Sequence, residues 1–174
     1  MRDAVSDGSP FEDYSDSDEN GYTDDILGWD NSGYFGTDDN DPFPKEDVTL
    51  DGTWAHGTHV AGILAATTDN DLGMASTAYN AKYISVKVSR ENQTGEPGIS
   101  DGYAGVTYAA KAGYFSQGFS IVNLSWGGGG YNMFEQEMVS MCANNYNALI
   151  FAASGNENVE EAHYPSSYAH VISV

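Results

Sequence analysis

The 174 residues have the length of one ordinary domain, enough to bury a sizeable core without obligatory disulfides or metals. Six Lys and Arg stand against 26 Asp and Glu, a formal net charge of −20, and such a surface repels nucleic-acid phosphates and anionic membranes. The single cysteine, Cys142, allows no intrachain disulfide, no apolar run approaches the roughly 20 residues of a membrane-spanning helix, and no secretory signal peptide follows Met1 and Arg2.

The acids are concentrated at the start: residues 1–51 hold 16 acids and 2 bases. Charge alone predicts disorder for this stretch, yet Tyr14, Tyr22, Trp29, Tyr34, Phe35 and Phe43 are more aromatic residues than a solvated tail needs. An acidic N-terminal loop region over 1–55, ordered by something other than a core, is therefore expected, with residues 1–12 as its loosest part. Inside it, Asp16, Asp18, Asn20, Tyr22 and Asp25 place oxygen ligands along a loop with Gly21 after the third, the spacing that folds a loop around Ca2+. The twelfth position is Leu27 rather than Glu, so Asp25 or Asp24 is the expected closing ligand. Asp69-Asn70-Asp71 is a weaker candidate of the same kind.

From residue 56 to 174 the pattern turns regular. Val60, Ile63 and Leu64 predict a buried helix of about 10 residues starting near Gly57, with His59 turned to the interior. A strand is expected over 83–88, a helix over 100–113 with Ser100 as N-cap, and a strand over 120–124. A helix over 131–146, a strand over 148–153 and a strand over 170–174 complete the series. Strands alternating with helices imply an α/β fold with parallel pairing, and such folds gather ligands at the carboxyl ends of their strands and at adjoining helix N-termini.

Three segments fall at those positions. His56-Gly57-Thr58-His59 opens the first helix, where an imidazole can reach a cleft and act as a general base if a carboxylate orients its other nitrogen. A zinc reading of the two histidines is weak, because the Glu and the i, i+4 spacing of the metalloprotease helix are absent. Ser125-Trp126-Gly127-Gly128 follows one strand, and Ser154-Gly155-Asn156-Glu157 follows the next.

The heptapeptide His56-Gly57-Thr58-His59-Val60-Ala61-Gly62 resembles the histidine signature of the subtilisin-like serine proteases, the subtilase or peptidase S8 family. Val122-Asn123-Leu124-Ser125-Trp126-Gly127-Gly128 resembles that family's substrate-binding strand, Ala152-Ala153-Ser154-Gly155-Asn156-Glu157 its oxyanion segment, and Tyr164-Pro165 the stretch in which its proline is commonly cis. The acidic loop from Asp16 to Asp25, followed by Gly28-Trp29, is similar to a stretch that large subtilases carry ahead of the histidine. The resemblance implies an α/β fold with a parallel sheet between layers of helices, incomplete at both ends, and a serine endopeptidase that acts on extended polypeptides. It implies that His56 is the general base and acid and that Asn156 donates to the oxyanion. Ser125, Trp126 and Gly127 would pair with substrate main chain. Ala152, Ala153, Ser154 and Gly155 would wall a fairly open, apolar slot for the residue preceding the cleaved bond. Gly95-Glu96-Pro97-Gly98 matches a second substrate-flanking strand loosely. A structural Ca2+, a pro-peptide partner and an extracellular location come with the same resemblance, and neither nucleic acid nor membrane is an expected partner.

The family also needs an aspartate before the histidine and a serine after it. No Gly-Thr-Ser-Met-Ala occurs, and Asp30-Asn31-Ser32-Gly33 is only a superficial echo of the aspartate's setting, on the wrong side of the acidic loop. Two expectations follow. Either the chain is the middle of a longer catalytic domain and is inactive alone, or it is a calcium-stabilised, peptide-binding pseudoprotease.

Overall fold

The computed structural model describes residues 15–34, 37–43, 55–90 and 98–174. The expected loose arm at 1–12, and Gly95, Glu96 and Pro97 of the loosely matched strand, lie outside them. Nine elements follow in order: β1 (Gly28–Tyr34), β2 (Thr37–Asp39), α1 (His56–Ala65), β3 (Ser85–Lys87), α2 (Gly102–Gln117), β4 (Ser120–Leu124), α3 (Met133–Asn145), β5 (Ala148–Ala152) and β6 (Val171–Ser173).

The strands form two three-stranded sheets, ordered β2-β1-β3 and β4-β5-β6. β1 runs parallel to β3 and antiparallel to β2, whereas β4, β5 and β6 are all parallel. Parallel neighbours cannot be joined by a tight turn, and α3 lies between β4 and β5 in the chain as β2 and α1 lie between β1 and β3. α2 packs on β1 and β3 of one sheet and on β4 and β5 of the other, so a single helix covers both. Gly105 permits this approach: a Cβ there would stand 2.6 Å from a methyl of Val88 and 2.9 Å from one of Val86.

β4 and β5 alternate buried and outward residues. Val122, Leu124, Ala148, Ile150 and Ala152 turn toward α2 and α3, where Val106, Ala110, Val139 and Cys142 complete the core with Tyr168. At about 25 cal/mol per Å2 of apolar surface removed from water, this face dominates the favourable side of folding. The lone thiol of Cys142 is buried in it, and burial pushes its pKa up. The opposite face of the same sheet carries Ile121, Leu149 and Ile172, all exposed among the described residues.

The helix ends follow local chemistry. Asn132 caps α3 by accepting from the Phe134 amide at 2.9 Å, so the helix begins at Met133, two residues inside the expected start. α2 starts at Gly102 rather than at Ser100, because the Ser100 amide donates to the Val88 carbonyl at 2.7 Å and is held in the preceding loop. Gly118 ends α2 in the left-handed conformation, φ 81°, and β4 begins two residues later. The first turn of α3 is tied to the last loop: the Tyr168 hydroxyl donates to Glu135 at 2.6 Å, and the Ala169 amide donates to Gln136 at 2.9 Å.

The largest departure from expectation lies in residues 1–55, where β1 and β2 occupy part of the expected loop. Their formation depends on a distant partner: Asp30 stands in register with Lys87 of β3, and their side chains form an ion pair at 2.9 Å, both about nine-tenths buried. Asp30 also accepts from the Ser32 amide at 2.7 Å. Its carboxylate is thereby committed to the sheet. α1 departs in another way, since none of its residues is buried and His59 is exposed rather than interior. Among the described residues, α1 is joined chiefly to its own return segment, with the Thr77 amide donating to the Ile63 carbonyl at 2.9 Å.

Candidate active site

The register of β4 and β5 builds the site. Leu124 stands opposite Ala152, and the Ala153 amide donates to the Leu124 carbonyl at 3.1 Å. Ser125-Trp126-Gly127 and Ala153-Ser154-Gly155-Asn156 therefore leave neighbouring parallel strands at the same, carboxyl, end of the sheet. Ser154 donates from its amide to the Val174 carbonyl at 2.8 Å, which continues the ladder past β6. Ser125 Oγ accepts from the Asn123 side-chain amide at 2.8 Å. The Trp126 ring meets Tyr103 edge to face, with centroids 5.7 Å apart, and lies over Gly102, so α2 fixes it.

The expected slot between these segments is not simply open and apolar. The loop after β5 returns His163 and Tyr164 to it, and the Gly128 amide donates to the Tyr164 carbonyl at 2.8 Å. The imidazole of His163 lies against Gly127 on one side and Gly155 on the other. No local motif singles out His163; it comes into view only when the loop is traced back from Tyr164-Pro165, whose peptide bond is cis as the resemblance implied. Asn156 is exposed just beyond Gly155, and its amide donates to the Glu157 carboxylate at 2.8 Å.

His56 is the first residue of α1 and is exposed. Among the described residues no carboxylate pairs with it. The structure thus brings Ser125, Trp126, Gly127, Ala152, Ala153, Ser154, Gly155 and Asn156 to one end of one sheet, and gives His56 accessibility without a contact to them.

The acidic loop is organised around Asn20. Its amide N–H donates to Asp16 at 3.0 Å and Asp18 at 3.2 Å, and its side-chain nitrogen donates to Asp18 at 3.2 Å and Asp25 at 3.0 Å. Asn20 Oδ1 accepts from the Tyr22 amide at 2.7 Å, and the Gly21 amide donates to Asp16 at 2.8 Å. Asp24 is buried with Oδ1 lacking any hydrogen-bond partner. The Tyr22 ring packs edge to face on Trp29, 5.0 Å, and on Tyr108 of α2, 4.7 Å, with Lys111 above it. Burial, then the nearby charges of Asp38 and Asp25, push the Tyr22 pKa up. Among the described residues no three His, Cys, Asp or Glu side chains converge as a ready metal cage. The Asn20 amide occupies the space between Asp18 and Asp25.

Parallel strands crossed by helices, with glycine-rich segments meeting at their carboxyl ends, define an α/β protein. The profile described as Peptidase S8, Subtilase family, matches residues 21–174, and the chain belongs to that family of serine endopeptidases. It is 36% identical over 154 residues to the extracellular basic protease of Dichelobacter nodosus, a match spanning 84% of this chain and 23% of that protein. It is 35% identical over 133 residues to thermitase of Thermoactinomyces vulgaris, spanning 76% of this chain and 44% of that one. Among solved structures, the psychrophilic subtilisin-like protease Apa1 of the Antarctic Pseudoalteromonas sp. AS-11 superimposes with a TM-score of 0.56 at 32% identity, over 71% of this chain and 27% of that one. The chain thus spans less than half the length of these relatives.

Proposed function

We propose that this chain forms the substrate-binding face and part of the catalytic machinery of a secreted serine endopeptidase. The observation that carries the proposal is the Leu124–Ala152 register, which brings residues 125–127 and 153–156 out side by side. An extended peptide would add as a strand along Ser125, Trp126 and Gly127, where glycine removes side chains that block main-chain approach. Ala152, Ala153, Ser154 and Gly155 would wall the pocket for the residue preceding the cleaved bond. The Asn156 side-chain amide would donate to the oxygen that gains negative charge as the carbonyl is attacked, and one such donor is worth about 3 kcal/mol. That magnitude is measured in a member of this family. His56 would take the proton from the attacking hydroxyl and return it to the leaving amine, which requires the exposure it has.

The reaction also needs a nucleophilic serine and an aspartate to orient His56, and no segment of the sequence holds either in the family's setting. The chain alone is therefore expected to bind peptide without turning it over. A tetrapeptide amide should bind with a change in Trp126 fluorescence, and methylating one backbone nitrogen of that peptide should weaken binding about tenfold. Equal binding of the methylated peptide would remove main-chain pairing. Site-specific labelling by a fluorophosphonate, lost on His56→Ala, would contradict the expected lack of turnover. A pro-peptide would compete for the same strand. The extracellular relative supports a location outside the cell.

The acidic loop is read as a structural calcium site. Its donors are oxygens, as Ca2+ requires, and the unpaired buried Oδ1 of Asp24 is the kind of orphan a cation satisfies. Asp16, Asp18, Asn20 and Asp25 would hold the ion with Asp24. Tyr22 would contribute its carbonyl, because its ring is engaged with Trp29 and Tyr108. When bound, Ca2+ would neutralise these carboxylates and cross-link the loop. At 100 times its dissociation constant it should add about 2.7 kcal/mol of stability. Thermal melts with and without Ca2+ should show the gain, and Asp16→Asn and Asp24→Asn should each reduce it. A melting temperature indifferent to Ca2+ would dismiss the site.

A further inference from the structure

The sheet β2-β1-β3 has a strand-end crevice of its own. Asp30 and Lys87 are the last partners in register between β1 and β3. Past them, Asn31 and Gly33 of β1, Asp38 of β2, Arg90 beyond β3, and Asp101 and Ala104 at the start of α2 line a cavity of about 390 Å3. Its place beyond the carboxyl ends of parallel strands, beside a helix N-terminus, is where α/β folds gather ligands.

The lining is short of donors. Arg90 is its one cation and is committed: Nε donates to the Ser32 carbonyl at 2.9 Å and Nη2 to Asp101 at 3.3 Å. Asp101 makes no side-chain bond to cap its own helix and is held by that pair instead. Asp38 has no counter-ion among the described residues. Partial burial, then the charges of Asp101 and Asp30, push its pKa up, against a hydrogen bond from the Asn31 side chain. Because Asn31 gives its nitrogen to Asp38, its oxygen is left over. Asn31 is 3% exposed, and its Oδ1 is buried with no hydrogen-bond partner among the described residues. Flipping the amide would set that oxygen against a carboxylate, so the orphan is not removed by rotation.

The sign of the missing ligand follows. An anion would have to break the Arg90–Asp101 pair and lie beside Asp38. A divalent metal is poorly matched, since among the described residues no three carboxylate or imidazole groups converge, and the guanidinium would oppose a double charge. A monovalent cation with N–H donors meets both acceptors, and the volume accommodates an alkyl chain behind its head. We propose that this cavity binds a primary alkylammonium ion, with N–H groups donating to the Asp38 carboxylate and Asn31 Oδ1 and methylenes lying along Ala104. A free amine and a lysine side chain of a polypeptide carry the same group.

The test titrates n-butylammonium chloride into the full chain, followed by calorimetry and NMR. It should bind at one site and shift the Asn31 side-chain resonances and the Gly33 and Ala104 amides to saturation. Tetramethylammonium has the same charge and no N–H, and it should bind about tenfold more weakly or less. Equal binding would reduce the effect to general attraction by a chain of charge −20 and overturn the inference. Asp38→Asn should weaken butylammonium binding about tenfold, while Glu160→Gln, which removes an exposed carboxylate outside the lining, should not change it. Equal losses in the two variants overturn the inference. Arg90→Gln, shown folded by thermal melting, should tighten binding, because it removes the opposing cation and frees Asp101; unchanged or weaker binding also overturns it. Ca2+ that abolishes the butylammonium shifts would mark a metal site and do the same. Nα-acetyl-lysine N-methylamide separates the two sources: binding about tenfold tighter than butylammonium assigns the cavity to a polypeptide lysine, and equal or weaker binding assigns it to a free amine.

Discussion

Asp30 and Lys87 are tied together across two strands that lie 57 residues apart in the chain, in a place where neither side chain reaches solvent freely. A buried pair of this kind contributes little net stability over an apolar pair of similar volume, but removing one partner strands the other charge, at a cost of about 3–5 kcal/mol. Lys87→Met should lower the urea midpoint accordingly, and Asp30→Leu combined with Lys87→Met should recover most of the loss. If the double variant is as unstable as the single, the pair is doing more than neutralising itself. The same contact explains why Asp30 could not be understood from its neighbours. The run Asp30-Asn31-Ser32-Gly33 reads locally as a superficial echo of a catalytic aspartate's setting, while the partner of Asp30 sits on another strand. His163 shows the same limit, since a histidine in an acidic loop carries no sign that its ring will lie between two glycines contributed by other segments.

Among the elements, β4 and β5 agree with their sequence to within a residue, because a short apolar run bounded by turn residues has few other ways to bury itself. β1 and β2 do not, because β1 takes its strand character from pairing with β3 and from Trp29 packing on Tyr22, and β2 takes its own from pairing with β1, not from an apolar run. α3 is legible as a helix, though its expected start at 131 put the capping Asn132 inside it, and its junction with the last loop is a tertiary feature with a consequence for alkaline stability. Burial, then the bond to Glu135, raises the pKa of both Tyr103 and Tyr168 above the ordinary 10.0. A group whose folded pKa is raised contributes stability that is complete below its unfolded pKa and is lost as pH rises through the folded one. The melting temperature should therefore hold below about pH 9 and fall above pH 10. In Tyr168→Phe the fall above pH 10 should be shallower and the neutral-pH melting temperature lower. An unchanged alkaline profile would mean that the pair ionises as it does in the unfolded chain.

Across the whole molecule, the helices α2 and α3 lie on one side of β4-β5-β6, and among the described residues the other side presents Ile121, Leu149 and Ile172 to solvent. Ile121 is 66% exposed on a strand whose inward residues are almost fully buried, an unusual place for so much apolar surface. The chain should bind a hydrophobic dye strongly, and Ile121→Thr with Leu149→Thr should reduce that binding while moving the melting temperature by less than about 1 kcal/mol equivalent. A large loss of stability would show that the face is covered after all. The net charge of −20 is divided at this level as well. Five of the 26 acids lie in the loop folded on Asn20, where Asp24 and Asp25 are buried, so the acidity is not simply a solvated coat.

The α/β class, the parallel direction of the central strands and the segments of chemical interest follow from periodicity and short motifs, because burying an apolar stripe or ending a strand in glycine is a local matter. The pairing of Asp30 with Lys87, the exposure of α1 and the imidazole between Gly127 and Gly155 follow from contacts between residues far apart in the chain. Such contacts are selected by the packing of whole elements, and no stretch of sequence short enough to read locally contains both partners.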